Sequence, residues 1–264
     1  MKYEKILYIF ILFYYLKCIS DEIIHLKLFK NYQTYIDAKN YILKLKKVVY
    51  TVLIGKYDKF NIINKEKGYD YFMLTDQILK NESNLNWTIL PLKRKNESII
   101  AKIFKRQRFY KIHPHLFFKN YDLSIYVDAS YEIKGNLDEF LLRILSPNIS
   151  IYVMEHPDRK TIVNEIKAVL ASKKDTNISL TKIKNIYKVQ KFPDNKGLSE
   201  NSLIIRKHND MKCINFMEKW FNEIKNNSHR DQLSFGYIFW KTGDKIIKYT
   251  FLFDIDTIGT GIFE

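Results

Sequence analysis

From Val48 onward the chain alternates short, unbroken apolar runs with longer segments whose apolar positions recur at helical spacing. The first run, Val48-Val49-Tyr50-Thr51-Val52-Leu53-Ile54, is closed by Gly55. A continuous, β-branched run of this kind is what a parallel strand buried on both faces looks like. Similar runs occupy residues 71–74, 87–90, 123–127, 149–154 and 202–205. Between them, residues 98–110 carry an Ala/Ile/Phe stripe, and 137–145 and 161–172 are amphipathic. Residues 211–224 place Ile214, Met217, Phe221 and Ile224 on one face. Strands that alternate with helices predict an α/β fold: a single Rossmann-like mixed sheet with helices on both faces, filling residues 48–264 as one domain.

The pattern ahead of Val48 is different. Met1-Lys2-Tyr3-Glu4-Lys5 is a short charged start, and residues 6–16 are then unbroken apolar until Lys17. The run is shorter than the ~20 residues needed to span a bilayer unaided. It fits the apolar region of a signal peptide, with Cys18-Ile19-Ser20 supplying small residues for cleavage. A signal anchor extended by a snorkelling Lys17 is the alternative. Residues 1–20 are thus expected to be a signal peptide or anchor, and 21–47 a polar helical stem with Leu26, Phe29, Tyr32, Tyr35 and Ile36 at helical spacing. The expected location is the secretory pathway, luminal or membrane-anchored: Golgi or endoplasmic reticulum in a eukaryote, the cytoplasmic membrane in a bacterium. Asn-x-Ser/Thr sequons at Asn81, Asn86, Asn96, Asn148, Asn177 and Asn226 agree with a glycoprotein, although a chain so rich in Asn produces such triplets by chance.

Composition changes this picture little. At 46% hydrophobic, 264 residues bury a core without help from disulfides or metal. Cys18 and Cys213 make no framework, and no Cys/His cluster has zinc-ligand spacing. The formal charge of +15 attracts anions. The lysines are scattered and no nucleic-acid motif is present, so a local anionic ligand is expected rather than nucleic acid.

In open α/β sheets ligands bind beyond the carboxyl ends of the strands. Here the first strand ends in Gly55-Lys56-Tyr57-Asp58, the second in Thr75-Asp76 and the fourth in Asp128-Ala129-Ser130. Asp128 follows apolar residues and precedes small ones, so its carboxylate emerges with little steric cover, to hold a ribose hydroxyl or a divalent cation or to cap the next turn. Asp76 has the same placement, and could equally cap the segment after it. Lys102, Arg108, Lys111 and His115 run toward the strand that ends in Asp128, as a diphosphate clamp or a solvated basic face. Arg230-Asp231-Gln232 opens a helix that turns aromatic at Phe235, Tyr237, Phe239 and Trp240. Three polar residues buried there without partners would be costly, so a ligand cleft is expected beside them. His156 and Arg159 follow another strand and border the same cleft.

The order of these motifs carries a resemblance. Thr51…Gly55-Lys-Tyr-Asp58, Tyr71-Phe-Met-Leu-Thr-Asp76, Lys111-Ile-His-Pro-His115 leading into Tyr121-Asp-Leu-Ser-Ile-Tyr-Val-Asp128, Glu155-His-Pro-Asp-Arg159 and Arg230-Asp-Gln-Leu-Ser-Phe235 all recur. Over residues 48–243 the chain resembles the glycosyltransferase-like family, long catalogued as a domain of unknown function, that includes plant Golgi proteins linked to pectin and mucilage synthesis and bacterial members. The resemblance implies a type A nucleotide-sugar glycosyltransferase fold and transfer of a hexose or pentose from a donor such as a UDP-sugar to a glycan or other acceptor. It implies that Thr51, Gly55, Tyr57, Asp58 and Asp76 hold the nucleotide. Lys102, Arg108, Lys111, His115, Ser130, His156, Arg159 and Arg230 would line the rest of the donor site. Asp128, Asp231 and Gln232 are cast as catalytic, Asp231-Gln232 near the transferred sugar or acceptor. Asp128 is the counterpart of the first Asp of the Asp-x-Asp metal motif, so a Mn or Mg ion is a possible cofactor. Position 130 is Ser, a much poorer ligand for a hard cation than a carboxylate, and Lys and Arg could supply the positive charge instead. The alternative is a non-catalytic protein that keeps the fold and binds a glycan or nucleotide.

Overall fold

In the computed structural model the described residues are 32–55, 63–79, 86–95, 99–131, 133, 136–243 and 245–250. The apolar run at 6–16, the first part of the expected stem, Tyr57, Asp58 and the sequons at Asn81 and Asn96 lie outside them. Among the described residues no helix is long and apolar enough to cross a membrane.

Two compact units divide the chain. The smaller contains α1 (Tyr32–Lys44) and α4 (Leu137–Ile144), which pack on each other. In α4 the Asn136 side chain caps the helix by accepting from the Glu139 N–H at 2.9 Å, and Phe140, Leu141 and Ile144 are buried.

Among the described residues the larger unit is built on seven strands: β1 (Lys47–Leu53), β2 (Tyr69–Thr75), β3 (Thr88–Pro91), β4 (Leu123–Val127), β5 (Ile151–Glu155), β6 (Ser199–Arg206) and β7 (Ile247–Thr250). Their spatial order is β3-β2-β1-β4-β6-β5-β7. The first four run parallel, β6 runs antiparallel to both β4 and β5, and β7 returns parallel to β5. This is the mixed α/β sheet that the alternating pattern predicts. Every residue of β1 is buried, as its continuous apolar run requires.

The helices of this unit are α2 (Ile100–Ile112), α3 (Pro114–Phe117), α5 (Ile162–Ala171), α6 (Asn177–Val189), α7 (Met211–Asn226) and α8 (Gln232–Thr242). One sheet face, carrying Val48, Tyr50, Val52, Tyr126, Val153 and Ile204, shares a core with Ile166, Val169, Leu180, Ile183, Phe216, Trp220, Leu233 and Phe235 of these helices. Three elements were not expected from the pattern, the short α3 among them. Helix α6 follows the Thr176 cap, which accepts from the Ser179 N–H at 3.2 Å, and buries Leu180, Ile183 and Tyr187 at helical spacing. Strand β7 has four residues, too few to stand out as a periodic run. Strand β6 is longer than its apolar part: Ser199, Glu200 and Asn201 join it through a register shift opposite Val153 and Met154.

Trp220 of α7 is fully buried, and its indole N–H donates to the Asp231 carbonyl at 3.2 Å and the Ser234 hydroxyl at 3.1 Å. It joins the core to the start of α8. Trp220→Ala should destabilise the protein by about 3–5 kcal/mol, read as a lower midpoint of urea unfolding at an unchanged slope.

Candidate active site

Helix α2 brings Gln107, Arg108, Lys111 and Ile112 to its buried side, an i, i+1, i+4, i+5 pattern that follows from 3.6 residues per turn. Arg108 and Lys111 meet Asp231, the residue before α8. Its Oδ2 lies 3.1 Å from Arg108 Nε and 2.8 Å from Lys111 Nζ, and its Oδ1 accepts from the Gln232 N–H at 3.1 Å. Burial raises the proton affinity of the Asp231 carboxyl, yet the charges of Arg108 and Lys111 outweigh burial and hold it well below the usual carboxylate range. The polar opening of an apolar helix is therefore paired inside the protein.

The network closes through the end of β4. Lys111 Nζ lies 3.6 Å from Asp128 Oδ1, which also accepts from the Tyr126 phenol at 2.5 Å. Lys111 Nζ sits 4.6 Å over the Tyr126 ring, and burial raises the Tyr126 hydroxyl well above its usual value. Gln107 donates to the Tyr126 oxygen at 3.4 Å and accepts from Arg108. Asp128 itself remains about a third exposed, with a side-chain accessibility of 35%.

Beside this network lies a polar cavity of about 330 Å³ lined by Arg159, Glu165, Lys174, Glu200, Arg230 and Gln232 among others. The Gln232 amide nitrogen donates to Glu200 Oε2 at 2.7 Å, and its amide oxygen accepts from Arg230 at 3.2 Å. Arg159 Nε donates to Glu165 Oε2 at 2.6 Å. His156 Nδ1 accepts from the backbone N–H groups of Asp158 and Arg159 at 3.1 and 3.2 Å, and its Nε2 lies 2.6 Å from the Arg159 guanidinium. Burial and then Arg159 lower the proton affinity of His156. Burial, followed by the charge of Asp128, raises the Glu200 carboxyl.

Asp128, Arg108, Lys111, His156, Arg159, Arg230, Asp231 and Gln232 thus come together, while other expected residues stand apart. Thr51 is fully buried in mid-strand with its hydroxyl inside the sheet, because the strand runs on to Leu53 before turning. Lys102 is exposed on α2, and Ser130 is exposed in the turn after Asp128. His115 is carried by α3 toward α7, with Nε2 3.6 Å from Glu218 Oε1 rather than at Asp128. Asp76 accepts from the Gly55 N–H at 2.9 Å and pairs with Arg106 at 2.6 Å, so it ties the ends of β1 and β2 to α2. Gly55 has φ +70°, and a Cβ there would lie 3.2 Å from Ile103.

Glu200 belongs to the site but gave no sequence signal. It sits in the polar lead of a strand whose apolar part begins later, and only the antiparallel pairing with β4, where the Asp128 N–H donates to the Ser202 carbonyl at 2.9 Å, sets it near Asp128. Ser202 and Glu200 then share a face two residues apart.

The residues at Asp128 do not fit a hard divalent cation. They offer one carboxylate whose Oδ1 already holds a phenol and faces an ammonium, followed by a hydroxyl at Ser130.

Residues 36–258 match the family described as the TOD1/MUCI70, glycosyltransferase-like domain. The chain belongs to that family. Among characterised relatives it is similar to the "Probable hexosyltransferase MUCI70" of Arabidopsis thaliana, 28% identical over 137 residues, covering 48% of this chain and 23% of the plant protein. The family member described here therefore spans about a quarter of that relative's length. Two solved structures resemble it: the WbbM bifunctional glycosyltransferase in apo form (13% identity, TM-score 0.42, 78% of this chain and 39% of that one) and mouse xyloside xylosyltransferase 1 in apo form (10% identity, TM-score 0.43, 77% and 85%).

The depressed Asp231 carboxyl has a consequence for stability. A carboxyl whose folded proton affinity lies below its unfolded one stabilises the fold above the unfolded value, about pH 4, and loses that contribution as pH falls. Asp231→Asn should cost about 3–5 kcal/mol at neutral pH, since two buried cations lose their partner. It should also flatten the decline of stability below about pH 4 that the wild type shows in urea titrations at stepped pH.

Proposed function

We propose that this domain transfers a sugar from a nucleotide-sugar donor, with a UDP-sugar as the first choice, to a glycan or other hydroxyl-bearing acceptor. The observation that carries the reading is Asp128: a partly exposed carboxylate at the carboxyl end of a parallel strand, fixed by the Tyr126 phenol and the Lys111 ammonium, in a chain of a glycosyltransferase-like family. A carboxylate so held is oriented before a ligand arrives and accepts hydrogen bonds from sugar hydroxyls.

Helix α2 begins beside Gly55 with no side-chain cap and no acidic residue in its first turn, where Lys102 is exposed. The positive end of a helix favours an anion, and a lysine adds to it. Lys102 and Lys111 are nine residues apart, about 13 Å along the helix. In the proposed arrangement the diphosphate lies toward the first turn of α2 and the sugar over Asp128. The polar cavity at Glu200, Gln232 and Arg230 receives the acceptor. Positive side chains, rather than a cation bound at Asp128, oppose the charge of the leaving diphosphate. Asp231 keeps Lys111 in place beneath Asp128.

A thermal-shift series with UDP-sugars tests this, because a ligand that binds the folded state raises its apparent stability. At least one UDP-sugar should raise the melting temperature equally with and without Mn²⁺. Asp128→Ala should abolish that shift and lower UDP release by about a hundredfold or more. A shift with no release of UDP under any acceptor condition would instead establish the non-catalytic, ligand-binding reading; no shift with any nucleotide sugar would end the proposal.

A further inference from the structure

We propose that Glu200 is the proton acceptor of the reaction, taking the hydrogen of the acceptor hydroxyl that enters the cavity beside it; this rests on the glycosyl-transfer reading above.

Among the described residues, four carboxylates surround the junction of the network and the cavity, and three are committed elsewhere. Asp231 is locked between Arg108 and Lys111, and a carboxylate held so firmly in its charged form is a weak base. Glu165 is nearly inaccessible, at 2%, and is bound by Arg159 at 2.6 Å. Asp128 has one oxygen taken by Tyr126 and faced by Lys111. Glu200 lines the cavity, keeps a side-chain accessibility of 22%, and is oriented through Oε2 by the Gln232 amide, itself held by Arg230.

The groups facing Glu200 come from every neighbouring element. Asp128 at the end of β4 and Asp231 before α8 are negative, whereas Lys111 of α2 is positive. His156 after β5 has Nε2 at 3.9 Å, the Ser202 hydroxyl of β6 itself hydrogen-bonds Glu200, and the Tyr131 phenol follows β4. Burial and the two aspartates make Glu200 more basic than an ordinary carboxylate, which suits a group that must accept a proton near neutral pH.

The step balances without any further reactant. The acceptor oxygen bonds to the anomeric carbon, and the bond from that carbon to the phosphate oxygen breaks. Its electron pair leaves with the nucleoside diphosphate. The hydroxyl proton passes to Glu200, which becomes a neutral carboxyl and returns the proton to solvent through the cavity.

Glu200→Gln tests this against wild type and Glu200→Asp, with UDP-hexoses and UDP-pentoses as donors and water as the acceptor. The readouts are UDP release across pH and, separately, donor binding. Release should fall about a hundredfold or more in Glu200→Gln, with the dissociation constant of the donor changed less than about twofold, which is under 0.5 kcal/mol. In wild type the rate should decline on the acid side with a midpoint above the ordinary Glu value of about 4.3. That limb should vanish from the residual rate of Glu200→Gln and persist, at lower rate, in Glu200→Asp. Release within about threefold of wild type in Glu200→Gln, or an acid limb that survives in it, overturns the assignment. Wild type that binds a donor and never releases UDP also overturns it. Wild type that binds no donor removes the glycosyl-transfer reading itself, which the binding arm reports independently. Should Glu200→Gln not fold, Glu200→Asp decides: a slower rate with unchanged binding supports the role, and an unchanged rate overturns it.

Discussion

Everything at the candidate site depends on one buried ion triad, Arg108–Asp231–Lys111. Burying a charge is expensive unless it is paired, and three such charges persist only because their geometry satisfies one another. The triad joins two helices far apart in the chain: α2 supplies the cations and the cap of α8 supplies the anion. It fixes the rotation of α2 about its own axis, since Arg108 and Lys111 must both face Asp231. That rotation in turn presents Lys111 to Asp128 and Arg106 to Asp76. One electrostatic constraint thereby sets what stands behind the end of β4 and what ties the ends of β1 and β2.

The triad also separates two roles that a run of polar residues could share. Asp231 faces inward and stays charged, so it is an anchor. Gln232, its neighbour in sequence, turns toward the cavity and links Arg230 with Glu200. The two cavity carboxylates differ for the same reason. Glu165 is held by a guanidinium at short range, while Glu200 is held by a neutral amide and feels two aspartates.

Most of the sheet was legible in the chain because burial on both faces leaves an unmistakable signature. Strands β1 and β4 are continuous apolar runs, and the helices between strands repeat apolar residues at three and four. The carboxyl-end rule then pointed to Asp128 without reference to any contact. Elements with weak periodicity escaped: β7 is too short, and α6 carries Asn, Ser and Lys between its apolar residues, which dilute its stripe. The polar start of β6 escaped because a strand lead that faces a site carries no apolar pattern.

By itself, then, the sequence determined the class of fold, the strand end that bears Asp128, and the set of charged residues available near it. It could not decide which of those charges meet, because pairing depends on helix rotation and on strands distant in the chain. Tertiary structure placed Thr51 inside the sheet, sent His115 to Glu218, spent Asp76 on Gly55 and Arg106, and brought Glu200 into the site across an antiparallel pairing. Local propensity specifies an element and its buried face; only the packing of elements sets which side chains lie within a few ångströms, and the electrostatics of a site depends on those distances.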